Sequence, residues 1–240
     1  MSAVIKLKAG TTPAYSLRAL ARLLSYPNAE VRESVPDIQQ VLVSEAAVDE
    51  TRLRGLSKLL GSLVDQEVME VEEAYVELFD RGRATSLHLF EHVHGDSRDR
   101  GPAMIDLVKT YEQGGMMLDP VKVGGELPDY LPVVLEFIST LPAAQMRDFI
   151  AEISHILNAV HTALIKRRSL YAHVLAAVLE IGQQPIETVA IPEDEDMDAA
   201  WAEPEAFAGC SSKGQQSPDQ PQPIQIVRRT ASTTQRGASA

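Results

Sequence analysis

The chain has 240 residues, 45% of them hydrophobic, a formal net charge of −12 and one cysteine, Cys210. A sizeable core is within reach, whereas the acid excess excludes a phosphate-neutralising nucleic-acid face, and a lone cysteine excludes an internal disulfide or a cysteine-based zinc site. The leading MSAVIKLKAGTTP lacks an apolar run of signal-peptide length, and the longest near-apolar stretch, around Tyr171 to Leu179, falls far short of a membrane span of roughly 20 residues, so a cytoplasmic location is expected.

Nearly everything before Ile191 reads as helix. Pro13 follows two threonines, a good capping arrangement, and Leu17, Leu20 and Leu24 recur at helical spacing until Tyr26-Pro27 stops the run. A second helix is predicted over Val31 to Glu45, kinked or restarted at Pro36, and a third over Thr51 to Val64 with Leu53, Leu56, Leu59, Leu60 and Leu63 on one side. Gln66 to Asp80 gives a fourth, burying Val68, Val71, Tyr75, Leu78 and Phe79 and leaving Glu70, Glu73 and Glu77 outside. A short fifth covers Thr85 to Val93 and a sixth Pro102 to Gln113. Gly114-Gly115 and Gly124-Gly125 bracket a loop. Asp129 is placed to cap the next helix, with Pro132 in its first turn, where a missing N–H does no harm. Pro142 opens a long helix to about Arg168, and Ser169 to Ile181 forms the last.

No segment alternates with period two between hairpin turns, so the expected fold is a single all-α bundle, residues 1–191. Residues 192–240 are acidic, then rich in Ser, Gln and Pro, a composition expected to stay mostly disordered; Trp201 and Phe207 are its exceptions.

Three of the six histidines fall in His88-Leu-Phe-Glu-His-Val-His94. His88 and His92, four apart, would share a helix face as zinc ligands do. However, the peptidase pattern needs a glutamate directly after the first histidine, where Leu89 stands, and the pair is expected opposite the apolar side, exposed and without a supporting shell. Glu-x-x-His occurs at Glu91/His94 and Glu152/His155, but His155 falls away from the Phe149, Ile153, Ile156, Val160, Leu164 stripe, which rejects a di-iron bundle. Cys210 lies in the tail, and no Gly-x-Ser-x-Gly elbow or phosphate loop is present. Recognition of another polypeptide is the expected role, with neither cofactor nor metal. A metal-binding bundle using His88/His92 and a helical adaptor for another partner are the alternatives.

Tyr75-Val-Glu-Leu-Phe-Asp-Arg-Gly82 and Leu87-His-Leu-Phe-Glu-His-Val-His-Gly-Asp-Ser-Arg-Asp-Arg-Gly-Pro-Ala-Met104 closely resemble the nitrate reductase molybdenum cofactor assembly chaperones, the NarJ family. Asp129-Tyr-Leu-Pro-Val-Val-Leu-Glu-Phe137 resembles a pattern shared with the wider redox-enzyme maturation chaperones, and Leu-Leu-x-Tyr-Pro27 and Trp201-x-Glu-Pro204 also fit. The resemblance implies a cytoplasmic chaperone for the catalytic α subunit of a respiratory nitrate reductase. It would hold the apo-enzyme for molybdenum cofactor insertion, keep it off its membrane anchor, and grip a basic, amphipathic N-terminal segment.

A groove is then expected between the helix ending at Asp80, the 87–100 segment and the helix of Asp129–Phe137. Leu78, Phe79, Phe90, Leu131 and Leu135 supply its apolar floor, although periodicity does not separate floor from core. Glu77, Glu91 and Glu136 face the client's basic residues, and His92, His94, Asp96 and Arg98 shape the rim.

Overall fold

The computed structural model describes residues 12–95, 97–119 and 124–190. The tail expected from residue 192, with Trp201, Phe207 and Cys210, lies outside the described residues, as does Asp96, expected at the groove's rim. Among the described residues there are ten α-helices and no strand, which is the all-α class that the sequence pattern predicts.

Helix α1 (Ala14–Leu24) is the hub. Leu17, Leu20, Leu23 and Leu24 are all 0% exposed, and leucines at this spacing cover more than one side of a helix. They meet α3 (Val35–Glu45), α8 (Leu131–Ser139) and α10 (Ala172–Ile181) together. Each such burial stabilises by about 2 kcal/mol before side-chain entropy is subtracted. Ser25 is already extended, and Pro27 holds the residue before it out of the helical region.

The predicted second helix is two. The short α2 (Ala29–Glu33) is capped by Asn28, whose Oδ1 accepts from the Val31 N–H at 3.0 Å, and α3 restarts after Ser34 with Pro36 in its first turn. A proline there has no N–H to give and its ring crowds the carbonyl four residues back, so the chain breaks and begins again. Asp49 caps α4 (Glu50–Asp65) through the Arg52 N–H, 2.6 Å away.

Eight of the ten residues of α10 are buried, which its near-continuous AHVLAAVLEI requires. It packs on α1, α4 and the 24-residue α9 (Ala143–Lys166). The chain leaving α10 is laid back along α9. Asn158 Nδ2 donates to the Pro185 carbonyl (3.1 Å), and Asn158 Oδ1 and Thr162 Oγ1 accept from the N–H groups of Glu187 (2.8 Å) and Val189 (3.2 Å). No helix among the described residues is long and apolar enough to cross a membrane.

Two expectations are corrected. Val68 opens α5 (Val68–Phe79) in its first turn, ahead of the Val71, Tyr75, Phe79 stripe that meets the core, and is 47% exposed rather than buried. The helix expected over Thr85 to Val93 is instead a 3-10 turn (Arg83–Thr85), an extended piece, and α6 (Leu89–Val93). The extended piece pairs antiparallel with the residues before α8: His88 bridges Tyr130, and the Leu131 N–H donates to the Leu87 carbonyl at 2.8 Å. Backbone pairing with a remote segment outweighs the local helical period. Helix α7 (Arg100–Gln113) follows, burying only Tyr111.

Candidate functional site

Asp129 is the centre of the region where α5, α6 and α8 meet. The sequence places it as the cap of α8, but α8 takes Tyr130 as its N-cap with no side-chain bond. Asp129 caps α6 instead: its Oδ2 accepts from the Phe90 N–H (2.9 Å) and its backbone carbonyl from the Leu89 N–H (3.0 Å). The carboxylate is fully buried, with His88 Nδ1 at 3.3 Å from Oδ1 and the Arg100 guanidinium at 3.9 Å. A buried charge survives only where such partners replace water. The hydrogen bond to Asp129 raises the His88 pKa above its usual value, with Glu91 and Glu126 adding to the effect and burial opposing it.

A set of aromatic rings lies behind this cap. The Tyr75 hydroxyl donates to the carbonyl of Leu24, the last residue of α1, at 2.6 Å. The Tyr130 hydroxyl sits 3.2 Å from that of Tyr75 and 3.3 Å from the same carbonyl, and burial pushes its pKa up to about 12. Tyr26 meets Tyr75 edge to face at 5.7 Å and remains partly in solvent, while Phe79 and Tyr171 pack at 5.0 Å. These bonds join the end of α1, the middle of α5 and the start of α8.

The expected groove residues separate into surface and core. Phe79 (5% exposed), Leu131 (1%) and Leu135 (0%) are core. Eight of the nine residues of α8 are buried, so Glu136 alone reaches solvent from that helix. The apolar positions left at the surface are Leu78 and Phe90, both half-buried. Glu77 is exposed on α5. The Glu91 carboxylate already has a partner in Arg100 at 3.4 Å, and its carbonyl accepts from Arg83 at 3.0 and 2.6 Å. His94 stands edge to face on Phe90 at 5.5 Å, and Arg98 is exposed. Gly95 has φ +52°, and a Cβ there would collide with the Arg83 guanidinium, so the glycine lets Arg83 reach Glu91.

The histidine pair does not share a helix face. His88 precedes α6 with extended backbone, while His92 is inside it and turns Nε2 to the Ser86 carbonyl at 2.9 Å. Neither ring is fully exposed, contrary to the sequence expectation: His88 lies against Asp129 and the Tyr130 ring, and His92 against the Ser86 carbonyl. Burial lowers the His92 pKa. Among the described residues no three His, Cys, Asp or Glu side chains converge as metal ligands.

The family model described as nitrate reductase delta subunit matches residues 28–177. The chain belongs to this family, that of the NarJ assembly chaperones. It is 34% identical over 194 residues to the nitrate reductase molybdenum cofactor assembly chaperone NarJ of Escherichia coli K12, covering 77% of this chain and 80% of that one. It is 32% identical over 197 residues to the probable chaperone NarW of the same organism, covering 78% and 80%. With the probable NarJ of Bacillus subtilis the identity is 33% over 165 residues, covering 68% and 86%.

Within this NarJ-family bundle, the segments that carry the resemblance meet in space. Tyr75 to Phe79, His88 to His94, Asp129 to Tyr130 and Tyr26 are mutual neighbours through the bonds and ring contacts above. Asp129, His88, Tyr130 and Tyr26 are the organising residues that reading by helical period missed. The signal available for them was the Asp-Tyr-Leu-Pro and Leu-Leu-x-Tyr-Pro motifs themselves.

Proposed function

We propose that this chain holds the basic, amphipathic N-terminal segment of the catalytic α subunit of a respiratory nitrate reductase in the cytoplasm. In this role it supports molybdenum cofactor insertion and delays attachment to the membrane anchor. Residues 1–191 are the client-holding body and 192–240 an appended tail. What supports the reading is that α5 and α6 each keep an apolar side chain only half-buried, Leu78 and Phe90, with Glu77 exposed on α5, on a scaffold whose relatives are named as assembly chaperones. An amphipathic helix would lay its apolar face on Leu78 and Phe90 and turn its cations to Glu77 and Glu136. The residual charge of the Glu91–Arg100 pair, His92, His94, Asp96 and Arg98 would line the rim. The buried Phe79, Leu131 and Leu135 support that floor from beneath.

Calorimetric titration with the α-subunit N-terminal peptide tests this. A Glu77→Lys, Glu136→Lys double variant is expected to bind about tenfold more weakly, a difference that 150 mM added salt narrows as the Debye length shortens to about 8 Å. Unchanged affinity would remove the electrostatic part of the reading.

A further inference from the structure

We propose that a second site, the cleft between the C-terminal ends of α7 and α8 and the first half of α9, receives an arginine or lysine side chain from a basic polypeptide segment. The cleft has a volume of about 410 Å³ and is open to solvent. That is at the small end of ligand pockets, about 300–1,000 Å³, so it takes one long side chain rather than a helix.

Its lining points to that occupant. Half-buried Phe149 supplies the apolar wall and packs edge to face on the buried Phe137 behind it, with centroids 5.9 Å apart. Phe137 is fixed from behind by Tyr111, 4.7 Å away, and by Gly114, where any Cβ would run into the Phe137 ring. Asp148 and Glu152 stand at the mouth, four residues apart on one face of α9. Neither carboxylate has a cationic partner among the described residues, and no lining residue is positively charged. Gln113 and Gln145 complete the mouth and offer amide oxygens as acceptors.

Two unpaired like charges at this spacing repel each other in the empty cleft, and a cation between them removes the repulsion. The aliphatic stem of Arg or Lys lies along the Phe149 ring while its head reaches both carboxylates. A guanidinium matches best, because its fork of donors can serve two acids and two amide oxygens at once. An acidic or neutral ligand gains nothing here. Assigning the incoming segment to the nitrate reductase α subunit rests on the function proposed above; the preference for a cationic side chain does not.

The first arm of the test uses N-acetyl-argininamide as the probe, followed by the side-chain amide NMR signals of Gln113 and Gln145. Saturable shifts are expected with this probe and not with neutral N-acetyl-norleucinamide. An Asp148→Asn, Glu152→Gln double variant should weaken binding at least tenfold while leaving the thermal midpoint in place. Linear, non-saturating shifts, or saturation unaltered in the double variant, would overturn the site. The second arm titrates the α-subunit N-terminal peptide into wild type and the same variant. An affinity loss of fivefold or more supports a shared client. Equal affinities, with the arginine probe still binding wild type, overturn that assignment and leave the α5–α6 reading standing. Should the peptide bind neither protein, the proposed client fails and the first arm alone decides the cleft.

Discussion

Asp129 and His88 lie 41 residues apart in sequence and 3.3 Å apart in space, and through this contact the start of α8 governs the start of α6. The carboxylate also takes the Phe90 N–H, so one fully buried side chain satisfies a helix terminus, an imidazole and, at longer range, Arg100. Asp129→Ala removes the side-chain acceptor of the Phe90 N–H and the buried carboxylate partner of His88 and Arg100. The expected cost is on the order of 3 kcal/mol, read as a fall in thermal midpoint of roughly 6–12 °C for a body of this size. Asp129→Asn keeps an acceptor for Phe90 and should lose about half as much. Equal stabilities of all three proteins in urea titrations would remove Asp129 from this role.

The two histidines of the same cluster should titrate in opposite directions. The folded pKa of His88 is raised by Asp129, so its contribution is fully present below its unfolded value of about 6.5 and is lost as pH rises through the folded value. His92 is lowered by burial, so its contribution is present above about 6.5 and is lost as pH falls through its folded value. The stability gap between wild type and His88→Gln is therefore widest near pH 5 and narrows toward pH 8. For His92→Gln the gap changes the opposite way. Denaturation midpoints taken across this range check both, and parallel curves for the two variants would contradict the assignment.

Tyr75 and Tyr130 both reach the Leu24 carbonyl, at 2.6 and 3.3 Å. Either hydroxyl can serve that acceptor if the other is removed. Each single Tyr→Phe change should cost about 1 kcal/mol or less. The double change leaves the end of α1 unsatisfied and should exceed the sum of the singles by about 1 kcal/mol in a double-mutant cycle. Strict additivity would show that only one hydroxyl carries the bond.

Gly55 on α4 faces the His173 ring of α10 so closely that a Cβ would overlap it. Gly55→Ala should destabilise by about 1–3 kcal/mol through overpacking, despite alanine's better helix propensity. Adding His173→Ala opens the space and should recover most of the loss. If Gly55→Ala stabilises the protein in the wild-type background, the contact is looser than the structure gives it.

The sequence by itself determined the helices whose apolar faces are long and regular. The leucines of α1 and α4, the stripe on α9 and the unbroken apolar run of α10 each have one low-energy way to leave water, and local period decides it. Tyr26-Pro27 marked the end of α1 and Pro36 the restart at α3, because a proline's fixed φ and missing N–H act over one turn of chain. The Asn28 and Asp49 caps were not read from the sequence. The tertiary structure decided what depends on residues far apart. Asp129 caps α6 and not its own helix, because the 86–88 piece and the start of α8 exchange backbone hydrogen bonds. The same pairing took His88 out of the helix that its spacing to His92 suggested. Which apolar residues stayed at the surface and which became core was likewise settled by neighbours: α8 is covered at every position but Glu136, so Leu131 and Leu135 lie in the interior. Periodicity reports which face of a helix avoids water, whereas burial depends on how many other helices arrive to cover it.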